Sequence, residues 1–465
     1  MLRSVFLPIC ISCLVLSLSS CLQDQTLGPA QAEQNQKLEE ISLETEESSY
    51  EFRDMFLETM ALSPSSMTEE EKGEALRILK KNMSEKELDE YRTSIRQSLQ
   101  QLARQPHRSM SSVLRVGKQT TISASDGSDN DGYGTSVASK GNQVFIGAPA
   151  ASQVYVNTNN GGTLTETQIL TPSNGALGFG KQVAVSGYNL VVSASDGIFG
   201  GYLFVFENQG GSWIERQIIH KTGGFDFGRV VKINANYLFT GFRDTTTGVG
   251  AKGLIYRRDD DDGIWNLSQE LSVAVIAWDA DFFDKRLVVA SGLSFFAPAF
   301  HVFERTGQSW TQTAYVPLPF GAIGPRSVTT HNKRVITNAL IPSNKAYSFK
   351  INGQSWVLED ELLINEAIIP FAQTRWMNLH RNRLLISVPA TGTGDAVYEF
   401  KRNGSTWNQI AKHTPAAGTD SNTLFGESLK IDGEDLLIGA PGNAPFVFPP
   451  PPVPVIPPAG KVYVY

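Results

Sequence analysis

The chain has 465 residues, 41% of them hydrophobic and 19% charged, so it is long and apolar enough to bury a large core. Its formal net charge of -7 offers no basic footprint for nucleic acid. The three cysteines, Cys10, Cys13 and Cys21, all lie at the N-terminal end, which excludes a disulfide framework for the rest of the chain.

Arg3 followed by a mostly apolar run from Val5 to Leu18 reads as a secretory signal, too short to span a membrane. The run ends in Leu18-Ser19-Ser20-Cys21, which resembles the bacterial lipobox. The resemblance implies cleavage after residue 20 and acylation of the Cys21 thiol. Two or three acyl chains would anchor the chain stably, since each buried methylene contributes about 0.8 kcal/mol. The expected location is the bacterial outer membrane or cell surface.

Residues 21–62 are rich in Glu and Gln, with Glu39, Glu40, Glu44, Glu46 and Glu47 in one short stretch. Such a segment cannot bury enough surface to offset its ordering entropy and reads as an acidic tether. A short helical region is expected over 63–112. Thr68 with Glu71 and Ser84 with Glu87 look like capping boxes, and Leu88, Tyr91, Ile95, Leu99 and Leu102 form one apolar stripe. Packing on the first helix or on the following domain explains that stripe better than a coiled coil, so a monomer is expected.

From residue 113 the chain repeats. Short apolar runs begin at Val144, Leu190, Leu238, Leu287, Val335, Leu384 and Leu436, at steps of 46, 48, 49, 48, 49 and 52 residues. Each is β-branched or aliphatic and reads as a buried strand. A short strand and a tight Gly, Asn or Asp turn precede each run, and an aromatic-rich third strand follows it. A fourth strand usually opens with tryptophan, at Trp213, Trp265, Trp310, Trp356 and Trp407. Four antiparallel strands, seven times over, predict an all-β, seven-bladed propeller across 113–465. The seventh unit stops at Tyr465 after its third strand, and a strand near 118–125 is expected to supply the fourth and close the ring.

Tyr133-Gly134, Phe179-Gly180, Phe227-Gly228 and Phe425-Gly426 open four units, and "IGAP" recurs at Ile146 to Pro149 and Ile438 to Pro441. This pattern resembles the FG-GAP repeat of integrin α-subunit propellers and of bacterial secreted proteins. Trp278, Arg326 and Trp376 stand near the expected Phe-Gly in units four to six. The resemblance implies a fold and a binding role, not a reaction. It also implies structural work for the motif residues, with the aromatic filling the core between blades and glycine permitting close backbone approach. Integrin propellers carry calcium loops between first and second strands. Here those turns are a few residues long, and the richest has only Asp432, Glu434 and Asp435, too little to wrap an ion needing six to eight oxygens.

No cofactor is expected. Asp126, Asp129 and Asp131 in "SDGSDNDGYG" are the weak candidates for calcium, although their spacing is not that of an EF-hand. Asp259 to Asp262 read as a solvated hairpin tip. Loops joining second to third and fourth to first strands share one propeller face. Phe199, Phe295, Phe296, Phe446 and Phe448 fall on them, the last two at the start of the proline-rich run "APFVFPPPPVPVIPPAG". These aromatics are the candidate ligand-binding residues, because a shared exposed apolar patch marks an interface. The other face gathers Lys285, Arg286, Lys333, Arg334, Arg381 and Arg383, with His331 and His380 in matching turns.

No catalytic residue is assigned. The chain lacks G-x-S-x-G, H-E-x-x-H and a cysteine nucleophile in the repeating region. The expectation is therefore a lipid-anchored envelope protein that uses one propeller face for adhesion or scaffolding, with a protein or glycan as partner. The alternative is a carbohydrate-active hydrolase or lyase, for which Asp279, Asp281 and Asp432 near the channel are the tempting acids.

Overall fold

The computed structural model describes residues 119–128, 130–195, 200–225, 227–244, 251–273, 277–291, 299–319, 323–341, 345–353, 355–364, 376–391, 394–415, 424–442 and 460–465. The expected signal, tether and helical region lie outside these residues, as does the lipidation residue Cys21.

The described chain is a seven-bladed β-propeller of four-stranded antiparallel blades. Blade one runs Ser136–Lys140, Gln143–Ala148, Gln153–Asn160 and Thr163–Leu170, from the inner strand to the outer. The inner strands of blades two to seven are Val183–Ser186, Val231–Asn234, Ala277–Phe283, Ile323–His331, Met377–His380 and Ser428–Asp432. Each inner strand contacts the next, and that of blade seven contacts that of blade one, so the ring is closed. Blade three carries an extra two-residue strand, Gly224–Phe225, paired to Tyr237–Asp244.

Burial explains the sequence pattern. Second strands are covered by neighbouring blades on both sides, so Val144, Phe145 and Ile146 are all fully buried and the run is continuous rather than alternating. Outer strands have one wet face and alternate: Ser212–Thr222 is buried at Trp213 and Ile219 and open at Ile214 and Ile218. The hydrophobic clusters therefore lie between blades. Phe145 and Val156 of blade one pack with Phe179, Leu190 and Phe204 of blade two.

The Tyr-Gly and Phe-Gly motifs sit at these boundaries. Phe179 is fully buried and meets Phe204 edge-on at 5.2 Å. Gly180 follows at φ +100°, and a Cβ there would stand 2.6 Å from the Gln153 carbonyl oxygen of blade one. Only glycine lets the two backbones meet at this point.

The last blade is completed from the other end of the chain. Thr120–Ile122 pairs antiparallel with Lys461–Val464, in the register Thr120 to Val464 and Ile122 to Val462. Gln119 Nε2 donates to Tyr465 Oη at 2.8 Å, and Tyr465 Oη donates to the Thr414 carbonyl at 2.7 Å. Thr120 Oγ1 donates to the Gly162 carbonyl at 3.2 Å. One short segment thus touches blades six, seven and one.

Side-chain amides stitch the outer rim. Gln168 Nε2 donates to the Trp213 carbonyl while its Oε1 accepts the Trp213 N–H, both at 2.9 Å. Gln217 does the same for Trp265 at 2.9 and 2.8 Å, and Gln269 for Trp310 at 2.7 and 2.8 Å. Between blades five and six, Asp360 accepts the Trp407 N–H at 2.7 Å. Each tie satisfies backbone groups of an edge strand that no further strand covers.

Candidate functional site

Inner strands alternate between the packed blade boundary and the axis of the ring. In Ala277–Phe283, Ala280 is fully buried between blades while Asp279 and Asp281 line the axial cavity. That cavity has a volume of about 230 Å³, and Lys232, Asn378 and Lys430 also line it.

Both aspartates are held by the next blade. Asp279 Oδ2 accepts the Ser327 hydroxyl at 2.7 Å and the Val328 N–H at 3.2 Å, and Asp279 Oδ1 pairs with Lys232 Nζ at 3.2 Å. Asp281 Oδ2 accepts the Thr329 hydroxyl at 2.9 Å and the Thr330 N–H at 2.8 Å. Burial lifts the Asp281 carboxyl above the ordinary carboxylate range, against the opposing pull of Lys232 and of the Thr330 and Thr329 hydrogen bonds. Burial works to lower the Lys232 ammonium, but the charges of Asp279 and Asp281 outweigh it and leave the group above its usual value. The two acids therefore join blade four to blade five. Asp432, at the end of the blade-seven inner strand, is raised by burial, with Lys430 opposing.

The basic face divides into two kinds of cation. Arg286 pairs with Glu304 at 2.7 Å and donates to the Asn332 carbonyl of the next blade at 2.6 Å. Arg334 makes a two-pronged pair with Glu359 at 2.6 and 2.7 Å. Arg383 pairs with Glu399 at 2.9 Å and reaches the Gly433 carbonyl of blade seven at 3.2 Å. Lys285, Lys333 and Arg381 are exposed at the turn tips beside them. Phe283, His331 and His380 form a row, with centroids 4.6 and 5.7 Å apart. Burial holds both histidines below their usual value. The charges of His380 and Arg381 add to this at His331, and those of Lys430 and Arg381 at His380.

The acidic candidates are turned toward protein partners. Asp126 accepts the Tyr155 hydroxyl at 2.6 Å and the Gln153 amide at 3.3 Å. Asp131 is buried and accepts the Tyr133 N–H at 2.8 Å. Asp129 lies outside the described residues. Asp259 accepts the Asp261 N–H, and Asp262 the Ile264 N–H, each at 2.8 Å, as turn caps. Among the described residues, no group of three or more His, Cys, Asp and Glu is placed to hold a metal ion.

Residues 116–163 match the family model of the FG-GAP repeat. The chain is a seven-bladed β-propeller that carries an FG-GAP repeat. The matched stretch takes in the closing strand Thr120–Ile122 and most of blade one. No curated protein matches the sequence. Among solved structures, the propeller is similar to the crystal structure of RRP9 WD40 repeats, with a TM-score of 0.53 and 9% identity over 74% of this chain and 96% of that one. The structure of U3-55K gives a TM-score of 0.52 and 10% identity, covering 74% and 97%. At these identities the likeness concerns the fold alone.

The sequence-derived ligand-binding candidates Phe199, Phe295, Phe296, Phe446 and Phe448 all fall outside the described residues. On the same face the propeller presents Leu177, 77% exposed, which sequence reasoning missed. Its loop is held by Ser195 N–H donating to the Leu177 carbonyl and Gly178 N–H donating to Ser152 Oγ, both at 3.0 Å. The Gln–Trp ties and the axial lysines Lys232 and Lys430 were also missed.

Proposed function

We propose that this FG-GAP propeller is a binding or scaffold module of the cell envelope, anchored through a lipid on Cys21, that engages a protein or glycan through its loop face. The observation that carries this reading is the use of Asp279 and Asp281. The Oδ2 atoms of both acids are held by Ser327, Val328, Thr329 and Thr330, and Asp279 Oδ1 by Lys232, which makes them parts of the ring's framework. A ring whose boundaries are tied both at the axis and at the rim is a stable platform for variable loops. Leu177, held outward on a hydrogen-bonded loop, supports the choice of face.

The test compares cells producing the natural chain with cells producing Phe295→Ser/Phe296→Ser, a deletion of residues 445–458, or Leu177→Ser. Adhesion to immobilised host and envelope glycans and proteins is the readout. Loss of adhesion with unchanged thermal unfolding supports the loop face, and unchanged adhesion in all three variants rejects it.

A further inference from the structure

We propose that the axial cavity of the propeller binds a small ligand through one anionic oxygen group, a carboxylate or a phosphate, with Lys430 as the counter-charge. This site is separate from the loop face and stands or falls independently of it.

Five charged residues line the cavity, and four of them, Lys232, Asp279, Asp281 and Glu427, are engaged within the protein. Lys232 pairs with Asp279, and Asp279 and Asp281 are held by blade five. Lys430, in the blade-seven inner strand, lines the same cavity, and its ammonium makes no side-chain hydrogen bond or close ion pair among the described residues. Its ammonium feels Asp281 and Lys232 of blades four and three as well as Lys140 of blade one. Blades three and four stand opposite blade seven in the ring, so the group faces the axis.

A half-buried ammonium without a close counter-charge is incompletely compensated, and a ligand anion can complete it. Burial pushes the Lys430 ammonium below its usual value, and Asp281 and Asp432 only partly restore it. A second donor lies alongside. The Asn378 side-chain oxygen accepts the Ile431 N–H at 2.9 Å, next to Lys430 in the chain. That bond fixes which end of the amide is oxygen and leaves Nδ2 free to donate to an acceptor in the cavity.

Size sets the class of ligand. A volume of about 230 Å³ lies below the roughly 300–1,000 Å³ of sites for drug-sized molecules, so a small acid fits and a polymer does not.

The experiment measures the melting temperature of the full chain at pH 7 and constant ionic strength, with sodium phosphate or sodium glucuronate titrated against sodium chloride. A saturable rise with phosphate alone, glucuronate alone or both supports the site and separates phosphoryl from carboxylate recognition. Lys430→Met is expected to weaken the response about tenfold or more, as loss of a charge-assisted contact does. In chloride alone it should melt at or above the natural chain, because a half-buried charge without a close partner has been removed. Lys430→Gln carries the same test if the methionine variant does not fold. Lys333→Ala, at an exposed turn tip of the basic face, should leave the response intact. No saturable response to either anion, or a response that survives both Lys430 substitutions, overturns the proposal.

Discussion

Gly439, in the second strand of blade seven, faces the Gly134 carbonyl of blade one so closely that a side-chain carbon on Gly439 would fall well inside van der Waals contact with that oxygen. The glycine of one motif therefore seats the glycine of the other across the boundary that closes the ring. Ser428 Oγ donates to the same Gly134 oxygen at 2.8 Å. Gly439→Ala is expected to destabilise the propeller by about 1–3 kcal/mol, the usual range for overpacking a tight contact. Urea unfolding with an unchanged slope and a lower midpoint is the expected signature.

Closure also depends on Thr120–Ile122. A chain beginning at Asp126 leaves Val462 and Val464 on an unpaired edge, and both are buried in the intact ring. That truncation should lower the melting temperature and promote aggregation at micromolar concentration, followed by light scattering during a thermal ramp.

The rim ties are expected to act as independent units. Gln217→Leu leaves the Trp265 N–H and carbonyl without their side-chain partner, and Gln269→Leu does the same to Trp310. Each should cost about 1–3 kcal/mol. Because the ties join different blade pairs, the double variant should lose close to the sum. A double-mutant cycle in urea measures this directly.

Acid sensitivity has a local source in blade six. Glu399 is buried and lies between Arg383 at 2.9 Å and His413 at 3.1 Å. Burial alone would raise its carboxyl, but the hydrogen bonds and charges of His413 and Arg383 hold it below the ordinary carboxylate range. A depressed folded value means the unfolded chain takes up the proton first. The stabilisation is therefore complete above the ordinary carboxylate value and is lost as pH falls through the folded one. Glu399→Gln should be less stable than the natural chain at pH 7, and the gap between the two should narrow toward pH 3. Chemical denaturation at the two pH values decides it.

The seven blades were legible because second strands buried on both sides must be continuous apolar runs. Val144, Leu190, Leu238, Leu287, Val335, Leu384 and Leu436 therefore stand out at nearly equal steps. The role of Tyr133, Phe179, Phe227 and Phe425 was legible too, since an aromatic followed by glycine marks a packed boundary with a close backbone approach. The polar ties were not. Gln168, Gln217 and Gln269 alternate with apolar residues on outer strands and look like solvent-facing side chains, because each partner lies in the next blade. For the same reason Asp279 and Asp281 looked like free acids until Ser327 and Thr329 were placed beside them. The basic face was read as one pool of charge, and the paired Arg286, Arg334 and Arg383 became distinct from Lys285, Lys333 and Arg381 only with the glutamates of the third and fourth strands in place.

The most direct test of the envelope-binding account is protease accessibility on intact cells, followed with an antibody against the propeller. The account predicts that the propeller is shaved away while a periplasmic marker survives. A propeller that resists digestion until the outer membrane is opened would contradict a surface-binding role.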